Sequence, residues 1–171
     1  MTQDLIHCLE PTRRGKGSPR RINAGKLTDQ KPALKMKEVW AIRARFELRH
    51  DVRELALFNV AIDSKLCGCD LVRLKVGDVA AGGEVKNSAI IVQRKTGTPV
   101  QVEVRPACHR SEGGPNDQTR RAACEWIRRD QVGAADYLFR SRLSMSDHLP
   151  TRQYARIVQA WVRSIGLNPA T

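Results

Sequence analysis

Apolar residues are sparse over the first 33 positions and become periodic from Leu34 onward. Met36, Val39, Trp40, Ile42 and Phe46 fall on one side of a helix with a period of about 3.6 residues, which predicts a helix ending near His50. Asp51 followed by Glu54 has the spacing of a capping box and opens a second helix, with Val52, Leu55, Phe58, Asn59 and Ile62 as its inner face. A short third helix is expected over Cys69 to Leu74. The pattern then changes to period two. Ala89 to Gln93 reads as one strand, and Val100, Val102 and Val104 alternate with Gln101, Glu103 and Arg105 in the next. Lys95-Thr96-Gly97 between them marks a tight hairpin. A polar loop covers 106 to 116, after which Asn116 or Asp117 caps a fourth helix with Ala122, Ala123, Trp126 and Ile127 facing inward. The last helix runs from an N-cap at Thr151 to a stop at Gly166, with Pro169 beyond. Its apolar stripe is Tyr154, Ile157, Val158, Trp161 and Ile165. Arg152, Arg156, Gln159 and Arg163 form the opposite stripe, within roughly 60° of one another at about 100° per residue. No internal repeat is visible.

Charge sharpens this picture. The 171 residues carry 30 Lys and Arg against 18 Asp and Glu, a formal net charge of +12, which favours a polyanionic partner because cationic side chains displace the counterions condensed on phosphates. A solvated basic surface has the same composition, and so does a solvated last helix. Aromatic residues make up 5% of the chain, too few for base stacking to dominate binding. Length allows one ordinary domain, residues 34–171, preceded by a tail over 1–33. Arg13, Arg14, Lys16, Arg20, Arg21 and Lys26 lie in that tail among glycine, serine and proline, so disorder is expected there. It reads either as a basic arm along DNA phosphates or as a leftover start.

The five cysteines, at 8, 67, 69, 108 and 124, form no disulfide framework and suit a reducing cytosol. Cys67, Cys69, Cys108 and His109 add up to four zinc ligands, but Cys-x-Cys matches the usual zinc knuckle poorly, and no metal site is expected. Met1-Thr2-Gln3-Asp4 lacks the start of a secretory signal, and no apolar run approaches membrane-spanning length. A cytoplasmic protein of bacterial or phage origin is expected.

Several separate stretches now line up. They are Trp40-Ala41-Ile42-Arg43, the segment from Glu54 to Leu66, Gly68-Cys69-Asp70-Leu71-Val72-Arg73-Leu74, Asp78-Val79, Lys95-Thr96-Gly97, Leu138-Phe139 and the segment from Thr151 to Arg156. In this order and spacing, residues 36–171 resemble the catalytic domain of the tyrosine recombinases, the phage-integrase family. The resemblance implies a mainly α fold with a small antiparallel β-sheet, forming part of such a catalytic domain. It also implies a DNA-breaking and -rejoining reaction. In that reaction a tyrosine attacks a phosphodiester and forms a phosphotyrosyl link. Two arginines and a histidine stabilise the charge that builds on phosphate, and a hairpin lysine protonates the leaving oxygen. The implied partner is double-stranded DNA; no cofactor and no small-molecule substrate are implied.

Carried over by position, the hairpin lysine matches Lys95, flanked by Arg94 and Thr96 as DNA-contacting residues. The family's first arginine follows the leucine of Leu-Arg-Gly-Cys-Asp-Leu, and the stretch here is Leu66-Cys67-Gly68-Cys69-Asp70-Leu71. Cys67 stands at the arginine's place, where a thiol supplies no fixed positive fork. Arg152, Arg156 and Arg163 are the implied DNA contacts of the last helix, Arg152 toward base edges. The His-x-x-Arg motif and the nucleophilic tyrosine fall after Thr171 by this alignment, and Tyr137 and Tyr154 read as packing residues. His148 and Arg152 are four apart, which is not the His-x-x-Arg spacing, and His7, His50 and His109 match nothing in the pattern and read as surface residues. The expectation is therefore a C-terminally truncated, catalytically defective DNA-binding integrase that self-associates through uncovered apolar surface. The rival expectations are a strand-transfer enzyme completed by a partner chain and a non-functional gene remnant.

Overall fold

The computed structural model describes residues 33–82, 84–86, 88–103, 117–142 and 147–168. The basic tail up to residue 32, Val104, the loop over 106–116 with Cys108 and His109, and Pro169 lie outside the described residues. The fold is mainly helical with two small antiparallel sheets. Its elements are α1 (Met36–Leu48), α2 (Val52–Ser64), α3 (Gly68–Leu71), α4 (Val76–Val79), β1 (Ala80–Ala81), β2 (Glu84–Val85), β3 (Ser88–Val92), β4 (Pro99–Glu103), α5 (Asp117–Asp130) and α6 (Thr151–Ser164).

The second helix is the centre of the molecule. Every residue from Ala56 to Ala61 is buried, so α2 is covered on all sides at its middle rather than along one inner face. Val52, Leu55 and Ile62 of the expected inner face are only half-buried. Such a helix is overlaid by α1, α5 and β4 together, and a single apolar stripe does not describe it. Asp51 occupies the N-cap position but makes no capping hydrogen bond. Glu54, expected to close a capping box, instead accepts from Trp161 Nε1 at 2.6 Å.

Helix α1 buries Val39, Ile42 and Phe46, as the period requires. Two of its expected inward residues, Met36 at 66% and Trp40 at 43% exposure, point outward. The buried position beside Ile42 goes to Arg43 instead. Arg43 Nε donates to Asn59 Oδ1 at 2.7 Å, and its Nη2 lies 3.5 Å from Asp63. The other oxygen of Asp63 accepts from Thr119 Oγ1 of α5. One polar chain thus joins α1, α2 and α5 through the core. Pairing is what makes a buried guanidinium tolerable. Trp40 covers it from outside, with its ring centroid 5.5 Å from the guanidinium carbon.

Arg53 is the second buried arginine. It donates to the Arg140 carbonyl at 3.0 Å and lies 5.9 Å from the Trp126 ring. Burial, with the nearby Arg142 charge, pulls its guanidinium below the ordinary value, while Glu54 and Asp130 push it back up. In α5, Ala122, Ala123 and Trp126 are buried and Ile127 half-buried, matching the predicted face. Trp126 Nε1 donates to the Leu138 carbonyl at 2.8 Å.

Residues 134–138 run back along 74–77. Leu138 N donates to the Leu74 carbonyl at 2.7 Å, Val76 N to Asp136 at 3.0 Å and Gly77 N to Ala134 at 2.8 Å. A Cβ at Gly77 would sit 2.9 Å from the Ala134 carbonyl oxygen, so this close approach requires glycine. It plants Leu138 and Phe139, both fully buried, in the core, and Phe139 then accepts from Leu149 N at 2.9 Å.

Candidate nucleic-acid interface

Helix α6 is amphipathic with a sharp division. Tyr154, Val158, Trp161 and Val162 are buried, while Ile157 and Ile165, placed on the same stripe by periodicity, are half-buried. Pro150, not Thr151, takes the N-cap position, and Thr151 is the first helical residue. The C-terminal stop falls where expected. Gly166 has φ +81°, its N–H bonds to Arg163 O at 2.9 Å, and Leu167 N bonds to Val162 O at 3.3 Å. This pair of bonds is a Schellman motif, and its left-handed residue favours glycine.

The buried face of α6 is seated by aromatic contacts. Trp161 meets Phe46 of α1, Phe58 of α2 and Tyr154 edge-on, with centroids at 5.8, 5.3 and 6.3 Å. Arg45 of α1 also donates to the Ser164 carbonyl near the end of α6. The roll of the helix is thereby set, and with it the direction of the outer stripe. Arg152, Arg156 and Arg163 are exposed, with Gln159 half-buried among them.

Strands β3 and β4 pair in register from Ser88↔Glu103 to Val92↔Pro99. The connection is thus the six residues from Gln93 to Thr98, wider than the tight turn expected at Lys95-Thr96-Gly97. Gly97 has φ +68° and donates to the Gln93 carbonyl at 2.8 Å, and Gln93 N donates to the Thr98 carbonyl at 3.0 Å. Arg94, Lys95 and Thr96 are all exposed on this loop. The Thr96 hydroxyl is turned inward on the loop, donating to Gln93 Oε1 at 3.0 Å and accepting from Thr98 N at 3.4 Å.

Cys67 is the half-buried N-cap of α3. Its Sγ donates to Asp70 Oδ2 at 3.0 Å, and Asp70 Oδ1 accepts from Arg94 N at 3.1 Å. One buried carboxylate therefore grips both the residue at position 67 and the base of the hairpin loop. Helix α3 also packs against α6. The structure thus brings position 67 and the loop carrying Lys95 to neighbouring places, beside the helix that carries the arginine stripe.

Several residues at this junction were not anticipated as partners. Arg73 Nε donates to His148 Nε2 at 3.2 Å, and the His148 ring lies 5.1 Å from that of Tyr137. His148 is half-buried, between Arg73 and Tyr137. Lys75 Nζ lies 5.9 Å from the Tyr137 ring centre, and Lys86 Nζ donates to the Gly77 carbonyl at 2.8 Å. The clamp by Asp70 had a sequence signal, since Cys67 and Asp70 have N-cap to N3 spacing. The Arg73–His148 contact, 75 positions apart, had none. A groove of about 270 Å³ runs between hairpin and helices, lined by Asp70, Arg73, Asp78 and Arg94 with the exposed side chains of Ile90 and Val92.

No family model, no curated protein and no solved structure matches this chain. Among the described residues, no helix is long and apolar enough to cross a membrane.

Proposed function

We propose that this chain binds duplex DNA as a tyrosine-recombinase-like protein and does not itself cleave it. The observation that carries the reading is the α6 face: three exposed arginines on a helix whose roll is locked by a buried aromatic cluster. A cationic stripe with a fixed direction matches a regular array of phosphates, which a floppy one does not. In this reading Arg156 and Arg163 meet phosphates, and Arg152, in the first turn of the helix, reaches a base edge. Arg94, Lys95 and Thr96 approach the backbone from the hairpin.

The absence of cleavage follows from two features of the residues present. Position 67 carries a thiol already committed to Asp70, not a guanidinium. Of the two tyrosines, Tyr154 is buried to 1% exposure against Trp161, and Tyr137 is held between His148 and Lys75. In this reading neither serves as the nucleophile.

Fluorescence anisotropy with a labelled duplex tests the binding. Affinity should fall steeply with added salt and vary little with sequence; a flat salt dependence removes the reading. A suicide substrate tests the chemistry. A covalent protein–DNA band on a denaturing gel would show instead an enzyme, acting alone or completed by a second chain.

A further inference from the structure

Cys67, Cys69 and Asp70 each offer one donor atom, and the three atoms lie within 4.8 Å of one another. Both cysteines are half-buried and the aspartate is buried. Cys67 Sγ donates to Asp70 Oδ2 at 3.0 Å, a contact whose proton a cation would replace. The Arg94 N–H on Oδ1 fixes the carboxylate and leaves Oδ2 directed at Cys67 Sγ. A hydrogen bond to the far oxygen of a ligating carboxylate is the usual means of holding such a ligand in place.

We propose that these three side chains bind a thiophilic divalent cation of the zinc class, with two thiolates and one carboxylate as ligands and a fourth position open to water. Two sulfurs select soft or borderline ions, and the carboxylate favours a divalent ion over monovalent copper. Cys-x-Cys is too short for a zinc knuckle along a regular chain. Here the backbone changes course between the two residues. Cys67 is an extended N-cap at φ −66°, ψ 151°, and Cys69 lies inside the following helical turn. That change brings both sulfurs near one carboxylate. Metal–sulfur bonds of about 2.3 Å around a tetrahedral ion put the donors roughly 3.5–3.8 Å apart, so loading widens the 3.0 Å Cys67–Asp70 contact by about half an ångström, and every donor pair already lies within 4.8 Å.

Charge decides what the ion does there. As it enters, two thiol protons leave. A dication held by two thiolates and a carboxylate has net charge −1, the same as ionised Asp70 beside two neutral thiols. The ion therefore does not supply the positive charge that an arginine at position 67 would carry. It acts as a staple between the N-cap of α3 and the carboxylate that holds the hairpin loop. This site is independent of the DNA reading, and its test contains no DNA.

The full chain, kept reduced by a phosphine, is titrated with cobalt(II) as a coloured stand-in and then with zinc(II). One equivalent of cobalt should give an intense sulfur-to-metal charge-transfer band and tetrahedral visible bands, both bleached by zinc. Cys67→Ser and Cys69→Ser should each weaken binding at least about 100-fold, more than the loss typical of an outer-shell partner. A Cys8→Ser/Cys108→Ser/Cys124→Ser variant should bind as the parent does. A band that survives in the first two variants, or disappears in the triple variant, overturns the proposal. Alkylation of the unmutated chain, mapped by mass spectrometry, covers the case in which serine variants fail to fold. Zinc should protect Cys67 and Cys69 and leave the reactivity of Cys124 unchanged, and absence of that protection also overturns it.

Discussion

Helix α6 and the β3–β4 hairpin each carry three of the residues proposed to contact DNA, Arg152, Arg156 and Arg163 on one and Arg94, Lys95 and Thr96 on the other, and they are anchored by different physics. The helix is held by area. Tyr154, Val158, Trp161 and Val162 bury one whole face, and an aromatic cluster spanning α1, α2 and α6 seats it. The hairpin has two strands and buries little. Ala89 and Val102 point inward, while Ile90 and Val92 stand at 73% and 64% exposure. Its loop is held at one point, by Asp70 on Arg94 N. A cation on a helix with a large buried opposite face is positioned by many weak contacts, and no single polar substitution frees it. A cation on a thin hairpin depends on a few directional bonds and moves when one is lost.

Breaking the helix anchor should have the largest effect. Trp161→Ala removes the hub of the aromatic cluster and leaves Glu54 without its indole donor; it should cost about 3–5 kcal/mol. Denaturant unfolding followed by circular dichroism measures this, and DNA affinity should fall with it. A loss under about 1 kcal/mol would mean that α6 is held by something other than this cluster.

The hairpin clamp comes next. Asp70→Ala leaves the Arg94 N–H and the Cys67 thiol without their acceptor and should cost about 1–3 kcal/mol. The response should be local. Hydrogen exchange should speed up at Arg94 and its neighbours while α2 and α6 keep their protection. Asp70→Asn retains an oxygen for Arg94 N and should show the smaller exchange effect of the two.

The arginine stripe separates binding from stability. Arg156→Ala and Arg163→Ala should change unfolding free energy by no more than about 0.5 kcal/mol, because both residues are exposed. Each should lower the slope of log affinity against log salt by about 1. Arg152→Ala should instead flatten whatever sequence preference exists. Equal behaviour of all three would place Arg152 on phosphate and remove its base contact.

The smallest effect belongs to Cys67→Arg. A guanidinium beside the hairpin loop should tighten duplex binding only severalfold and produce no covalent product, since charge stabilisation without a presented nucleophile opens no bond. Unchanged affinity would show that position 67 does not face phosphate and would undercut the resemblance on which that assignment rests.

Periodicity, with capping and turn residues, located the four long helices and the hairpin, because buried positions leave their period in the sequence even where, as in α2, more than one face is covered. The stop at Gly166 and the inward face of α5 were legible for the same local reason. Composition alone set the charge that favours a polyanionic partner. Partner choice was not legible, since it depends on which elements meet. Nothing local says that α2 is covered on all sides, that Trp40 turns outward while Arg43 is buried against Asn59 and Asp63, or that Glu54 leaves its capping role for Trp161, 107 positions away. Likewise, Cys67 and Arg94 were singled out in sequence for separate reasons, and nothing local links them. They become neighbours only because the tertiary fold presents the two oxygens of one buried carboxylate to both. Local free energies along the chain chose the elements. Satisfying the polar groups buried when those elements packed chose which residues could serve as a site.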